Sequence, residues 1–126
     1  AIPGCEDPLL GNQWSYHRVG AAVGSTAVAD LNIFPAWSVS TGHKDVVVAV
    51  VDGGIDYTHP DLAANIWRDG QGACGYNFCR HNTEITPSSH GTHVAGTIGA
   101  VNNNGIGVCG IAGGDGTPGC GGRLVR

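Results

Sequence analysis

The sequence feature that most constrains the fold is an unbroken apolar run, VVVAVV at residues 46–51, which ends at Asp52. Valine favours the extended conformation, and a run without alternating polar residues predicts a strand covered on both faces, as in a parallel sheet. Gly53 and Gly54 then break the strand with a tight turn. The run therefore predicts an α/β protein in which Asp52 stands at the carboxyl end of a buried strand.

A second block, SHGTHVAGTIGA at residues 89–100, predicts a helix with a histidine at its start. Either Ser88 or Ser89 can cap this helix through its hydroxyl group. Small residues permit close packing of the helix, and its apolar stripe consists of Val94, Ile98 and Val101. We therefore expect His90 at or near the first turn.

Three further segments predict shorter elements. Residues 32–40 are typical of a short helix with a proline in its first turn. Residues 76–79 predict a short strand within a long glycine-rich loop, and residues 124–125 predict the opening of another strand. Strands that alternate with helices in this way favour a parallel sheet.

The N-terminal residues differ in composition from the rest. Residues 1–31 carry prolines, glycines and isolated apolar residues, which is typical of an arm that wraps a surface, with Trp14 and Tyr16 as its anchors. Residues 32–126 would form the α/β core. We expect this core to be part of a larger domain.

Composition excludes several classes of protein. The 126-residue chain has a formal net charge of −4, and its six basic residues are scattered singly. No basic stripe is available to neutralise phosphates, so we expect no nucleic-acid partner. The longest apolar run is far shorter than the roughly 20 residues that span a bilayer, and no signal-like segment opens the chain. The sequence therefore predicts no membrane span.

The five cysteines are an odd number, so at least one is unpaired if the others form disulfides. Cys74 and Cys79 could close a small disulfide loop in an oxidising compartment, or both could be buried free thiols. A zinc knuckle is less favoured, because no second closely spaced cysteine pair follows. The cysteines alone do not distinguish an oxidising from a reducing compartment.

Asp52 and His90 have the character of a catalytic pair. A carboxylate at a strand end can orient an imidazole at a helix start and stabilise the imidazolium that forms when the histidine takes a proton from a nucleophile. Sites in open α/β sheets cluster at the carboxyl ends of the strands. The two residues therefore predict a base and its orienting group, whereas no Gly-Thr-Ser turn with a nucleophilic serine occurs in the chain.

These blocks resemble the N-terminal part of the subtilisin-like serine peptidases. The similarity consists of the aspartate block at 46–62 and the block HGTHVAGT at 90–97. The aspartate precedes the histidine along the chain, as it does in that family. Gln13-Trp14, Ala36-Trp37 and the NNNGIGVCGIA segment at 102–112 extend it from about residue 7 to residue 112. The resemblance implies a three-layer α/β fold with a parallel sheet, of which only the N-terminal part is present.

The resemblance also implies roles for individual residues. Asp52 would orient the imidazole, His90 would be the general base, and His93 would pack within the helix. Gly53 stands where the family often has a hydroxyl residue. The hydrogen bond from that hydroxyl to the Asp52 carboxylate is therefore missing, which should loosen the carboxylate without abolishing its role. The resemblance implies a secreted or extracytoplasmic endopeptidase that acts on polypeptides. The chain ends before the family's substrate-binding strands, oxyanion-hole asparagine and serine, so we expect residues 1–126 to be inactive alone.

The resemblance further implies a calcium site and no organic cofactor. Gln13, Asp61 and Asn103 would supply side-chain oxygens and the loop at 102–108 would supply backbone carbonyls, an all-oxygen set that suits calcium. Gly105 makes this loop one residue longer than the commonest form. The alternative is a plain Asn-Gly turn, with Asp61 capping a helix.

Two other classes of function stay open. The chain could be a non-catalytic binding protein whose uncovered sheet edge pairs with a second copy or with a complementing C-terminal chain. It could also be a metal-binding module built on His90, His93 and the cysteines, although histidine pairs on zinc-binding helices usually lie four residues apart.

Overall fold

The computed structural model describes residues 5–16, 30–117, 121 and 123–125. Two α-helices and two β-strands alternate along this part of the chain, and two short 3₁₀ helices accompany them. In order, the elements are a 3₁₀ helix at Leu10–Asn12, α1 at Ile33–Trp37, β1 at Val47–Ala49, a second 3₁₀ helix at Ala63–Asn65, α2 at Ser89–Gly99 and β2 at Arg123–Val125.

The two strands form a parallel sheet. Val47 pairs with Arg123, and the register continues to the pair formed by Ala49 and Val125. The predicted parallel pairing and the predicted strand near residues 124–125 are therefore confirmed. A connection through α2 joins the strands, as a parallel pair requires.

The apolar run is less covered than its composition predicts. Val50 is buried, but the side chain of Val51 is 93% exposed and that of Val47 is 46% exposed. The prediction that both faces of the run are covered is wrong for the part of the chain that the structure describes. The reason is that β1 has one neighbouring strand there, which leaves too few elements to enclose the valines.

Helix α2 begins where its cap predicts. Ser88 is the N-cap, and its hydroxyl accepts a hydrogen bond of 3.1 Å from the backbone N–H of Gly91. This assigns the cap to Ser88 rather than Ser89. Helix α1 spans five residues and is shorter than the predicted segment 32–40. Among the described residues, no helix is long and apolar enough to span a membrane.

Two apolar clusters form the core. The larger one lies between the turn after β1 and helix α2, and its buried members are Val50, Ile55, Leu62, Ile66, Cys74, Ala95 and Ala100. The smaller one joins the arm to α1 and to the loop after α2, and its buried members are Cys5, Tyr16, Ile33, Trp37 and Cys109. The larger cluster packs α2 against the turn that carries Asp52.

The described part of the N-terminal arm is tied to the loop after α2. A disulfide joins Cys5 to Cys109, and the hydroxyl of Tyr16 lies 2.7 Å from the Cys109 carbonyl oxygen. Tyr16 is thus an anchor, as predicted, whereas Trp14 is 70% exposed and is not one. Residues 1–4 and 17–29 of the predicted arm lie outside the described residues.

The other cysteines and the predicted strand at 76–79 differ from expectation. Cys74 is a buried free thiol and Cys79 an exposed one, so they do not form the small disulfide loop. Cys120 lies outside the described residues. In place of a strand, Asn77 makes one antiparallel bridge with Asn82, because the intervening segment turns back on itself at once.

Candidate active site

Asp52 and His90 are brought together at the end of the sheet. Asp52 lies three residues after β1, and His90 is the second residue of α2. The Nδ1 atom of His90 lies 2.7 Å from Oδ2 of Asp52. The Asp52 side chain is 18% exposed, whereas that of His90 is 81% exposed.

This contact assigns the tautomer of the neutral His90 imidazole. An ionised carboxylate only accepts hydrogen bonds, so Nδ1 carries the proton in this pair. In the neutral imidazole, Nε2 of His90 then carries the lone pair, and the ring is exposed. The arrangement can accept a proton at Nε2 while Asp52 stabilises the resulting positive charge.

The turn after Asp52 packs directly on the first turn of α2. The backbone N–H of Gly53 donates to Oδ1 of Asp52. A Cβ atom on Gly91 would clash with the carbonyl oxygen of Gly54, so this approach requires glycine at position 91. The Asp52 turn and the first turn of α2 are therefore in close backbone contact at Gly54 and Gly91.

Thr92 adds a side-chain link that the sequence patterns did not identify. Its Oγ1 accepts a hydrogen bond of 2.9 Å from the backbone N–H of Asp56 and donates to the Ser88 carbonyl oxygen at 2.7 Å. Hydrogen bonds from Thr58 lower the pKa of the Asp56 carboxyl. The sequence feature that could have indicated this link is the threonine two residues after His90 in the histidine block.

An open cleft of about 770 Å³ separates the arm from α2. Its lining includes Trp14, Ser88, Ser89, Thr92 and His93, but neither Asp52 nor His90. His93 is exposed, so the prediction that it packs within the helix is wrong for the described chain. The cleft leaves this face of α2 open, which explains the exposure.

No described serine completes the pair. Ser88 uses its hydroxyl to cap α2 and to donate to the Gly54 carbonyl oxygen. Within residues 5–16 and 30–117, no serine hydroxyl is hydrogen-bonded to His90. In the same ranges, His90 and His93 belong to no group of three candidate metal ligands.

The two sequence blocks and the Asp–His contact agree with the comparison to known families. Residues 43–115 match the model of the subtilase family. This chain belongs to the subtilase family.

Solved and curated subtilases show how much of the family domain the chain represents. It is 37% identical to neuroendocrine convertase 2 of Homo sapiens over 112 residues, 83% of this chain and 16% of that protein. It is 42% identical to the thermophilic serine proteinase of Bacillus sp. (strain AK1) over 78 residues, 61% of this chain and 18% of that protein.

The serine protease of Aeromonas sobria, solved with its chaperone, superposes with a TM-score of 0.70 at 33% identity. The match covers 99% of this chain and 20% of that chain. This subtilase chain therefore spans about a fifth or less of the length of these relatives.

In this subtilase chain, the predicted calcium ligand Asp61 is buried beneath the loop at 102–108. Its Oδ1 accepts a hydrogen bond of 2.7 Å from the side-chain amide of Asn104, and its Oδ2 accepts one of 3.0 Å from the backbone N–H of Val108. Burial raises the pKa of the Asp61 carboxyl, and the hydrogen bonds oppose that rise. The protein's own donors thus engage both carboxylate oxygens.

The other two predicted ligands face different partners. Gln13 exchanges two hydrogen bonds with the backbone of Cys109, accepting at 2.8 Å and donating at 2.9 Å. Oδ1 of Asn103 accepts from the backbone N–H of Glu6 at 2.8 Å. Each of these oxygens already accepts a protein hydrogen bond, and calcium binding stays a prediction.

Asp7 is a loop-binding residue that the sequence patterns missed. It is buried in the arm, and its carboxylate accepts 2.8 and 2.9 Å hydrogen bonds from the backbone N–H groups of Asn103 and Gly105. No local pattern indicated this contact, since the partners lie 96 and 98 residues apart in sequence. The arm therefore holds the loop with a carboxylate of its own.

Proposed function

We propose that residues 1–126 are the N-terminal part of one three-layer, subtilisin-like serine endopeptidase domain. Residues 1–31 would be its arm and residues 32–126 part of its α/β core. The observation that carries the proposal is the 2.7 Å contact between Asp52 and His90. Family membership supports it, because Asp52 and His90 both lie within residues 43–115, which match the subtilase family model.

In the proposed reaction, Nε2 of His90 takes the proton of a serine hydroxyl as that oxygen attacks a peptide carbonyl carbon. Asp52 stabilises the imidazolium and keeps the proton on Nδ1. The imidazolium then protonates the leaving amine, and water hydrolyses the acyl-enzyme with His90 again acting as base. The substrate is a polypeptide, and the serine is supplied by a segment outside these 126 residues.

The chain alone is therefore proposed to be inactive. In subtilisin, a member of this same family, loss of the catalytic serine lowers kcat by about 10⁶. The hydroxyl of Ser88 cannot replace it, because that hydroxyl caps α2 and binds Gly54. Purified chain is expected to leave a peptide substrate uncut.

The test is to combine the chain with the serine-bearing segment of the same peptidase and add a fluorophosphonate probe. We expect the serine to be labelled only in the mixture, with labelling lost in His90→Ala and slowed by about 10⁴ in Asp52→Asn. His93→Ala is the matched control, because His93 lies exposed on the same helix and should leave labelling unchanged. Labelling that persists in His90→Ala would overturn the proposal.

A non-catalytic binding role is the second candidate, and the exposed valines favour it. Val46 and Val51 flank β1 and are largely exposed beside the sheet. Such a surface can pair with a second copy or with a complementing C-terminal chain. A stable complex with that segment, without any probe labelling, would favour this role over the split enzyme.

We also propose an extracytoplasmic location. The disulfide between Cys5 and Cys109 supports it, because disulfides persist mainly in oxidising compartments. Free-thiol counting on protein isolated from its source should find this bond oxidised. A reduced Cys5 in that protein would argue against the location.

A further inference from the structure

We propose that Ser88 is a positioning residue for the Asp–His pair, and that Gly53 is glycine because Ser88 occupies the space beside it. The inference rests on the proposed function, because it assigns Ser88 a role in holding Asp52 against His90. The role is distinct from capping α2, although the same hydroxyl performs both.

One hydroxyl joins the two segments of the site. Oγ of Ser88 donates a hydrogen bond of 3.1 Å to the carbonyl oxygen of Gly54 and accepts one of 3.1 Å from the backbone N–H of Gly91. Gly54 lies two residues after Asp52, and Gly91 directly follows His90. The hydroxyl therefore connects the Asp52 turn to the helix turn that carries His90.

Gly53 fits this arrangement for a steric reason. A Cβ atom at position 53 would lie 2.9 Å from Oγ and 3.2 Å from Cβ of Ser88. Apart from the adjacent residues 52 and 54, no other described residue has a heavy atom within 4 Å of it. Gly53 is not among the glycines with positive φ, so its backbone suits any residue. Among the described residues beyond its chain neighbours, the Ser88 side chain is therefore what crowds a side chain at position 53.

Gly54 provides the contrast. Its φ is +143°, and a Cβ atom there would clash with the carbonyl oxygen of Thr86. Position 54 thus requires glycine for both its conformation and its backbone neighbours. Position 53 requires glycine only while residue 88 carries its side chain, which makes the two positions separable by mutation.

A cap-only role for Ser88 makes a different prediction. Glycine at an N-cap weakens a helix by only a few tenths of a kcal/mol relative to serine. If Ser88 merely caps α2, Ser88→Gly should leave the Asp52–His90 contact intact. If Ser88 positions the Asp52 turn, Ser88→Gly should loosen that contact while α2 stays folded.

The first measurement is the low-field NMR resonance of the His90 Nδ1 proton in the purified chain. We expect Ser88→Gly to broaden or remove it, Ser88→Thr to retain it through the same hydroxyl, and the exposed neighbour Ser89→Ala to leave it unchanged. Asp52→Asn is the reference for a broken pair. Circular dichroism checks that α2 persists in each variant.

The second measurement is a thermal-unfolding cycle on positions 53 and 88. Gly53→Ala should lower the unfolding midpoint by roughly 2–8 °C in the presence of Ser88, but should leave it equal or higher in the Ser88→Gly background. An equal loss in both backgrounds would overturn the steric part of the proposal.

The outcomes separate this inference from the proposed function. A His90 resonance that is lost in Asp52→Asn but survives in Ser88→Gly would overturn the positioning role alone. A resonance that survives in Asp52→Asn would contradict the Asp–His pair and thereby the proposed function. The unfolding cycle would still decide whether the Ser88 side chain crowds position 53.

Discussion

Asn104 donates its side-chain amide to Oδ1 of Asp61 across 2.7 Å, and so fills the side of a buried carboxylate that a cation could otherwise take. The Asp61 carboxyl has a raised pKa because burial disfavours its charge. The loop at 102–108 therefore closes over Asp61 with a protein donor in place.

Removal of the Asn104 amide should make this loop more responsive to calcium. In Asn104→Ala, Oδ1 of Asp61 loses its side-chain donor and becomes available to a cation. We expect calcium to raise the unfolding midpoint of Asn104→Ala more than that of the wild-type chain, measured by differential scanning calorimetry against EDTA. Asp61→Asn should abolish the difference, and equal calcium responses of wild type and Asn104→Ala would contradict this view of the loop.

Two glycines of α2 should respond oppositely to alanine. Gly91→Ala places a methyl group against the Gly54 carbonyl oxygen and should destabilise the chain by about 1–3 kcal/mol. Gly96→Ala places one 3.9 Å from Val108 and should stabilise it by up to about 1 kcal/mol through helix propensity. Urea unfolding measures both changes in the free energy of unfolding. If Gly96→Ala destabilised the chain as much as Gly91→Ala, the close-contact argument would be refuted.

Tyr16 should make folding sensitive to alkaline pH. Burial raises the pKa of its phenol to about 12 from an ordinary value of 10.0. The folded chain therefore retains a proton that the unfolded chain releases, so stability is full below pH 10 and declines as the pH rises towards 12. Tyr16→Phe should remove this decline and cost about 1 kcal/mol at neutral pH, since one hydrogen-bond donor is lost.

Absorbance at 295 nm follows the ionisation directly. The difference between the titrations of wild type and Tyr16→Phe reports Tyr16 alone, with an expected midpoint of about 12. A midpoint near 10 would mean that the phenol is not buried beside Cys109.

The disulfide between Cys5 and Cys109 should contribute much of the free energy that attaches the arm to the loop after α2. Cys5 and Cys109 are separated by 104 residues, and a crosslink that closes so long a loop typically adds about 2–5 kcal/mol. We expect the double variant Cys5→Ala/Cys109→Ala to lose that amount in urea unfolding. Cys79→Ala, which removes an exposed free thiol, is the control and should match the wild type.

Local sequence patterns predicted the elements that present the site. The hydroxyl cap and small residues of the histidine block fixed the start of α2, and the valine run fixed the position and parallel pairing of β1. Asp52 and His90 could be paired in advance because strand ends and helix starts meet at one edge of such a sheet.

Local sequence patterns could not predict the contacts between residues that are far apart in sequence. Asp7 lies in a segment with no periodicity, and its partners are the backbone N–H groups of a distant loop. Asn102 is fully buried because its side chain forms hydrogen bonds with Gly110 and Gly114. These partners come together only in the folded loop. The exposure of Trp14 and Val51 likewise depends on which elements are present to cover them.

The attachment of the arm also sets an order of events during synthesis. The contacts that hold the arm to the loop after α2 join residues 93 to 104 positions apart, and they include Asp7 with Gly105, Tyr16 with Cys109, and the Cys5 disulfide. A ribosome must therefore make more than a hundred residues before the arm can dock. The first part of this chain to be translated is among the last to reach its place.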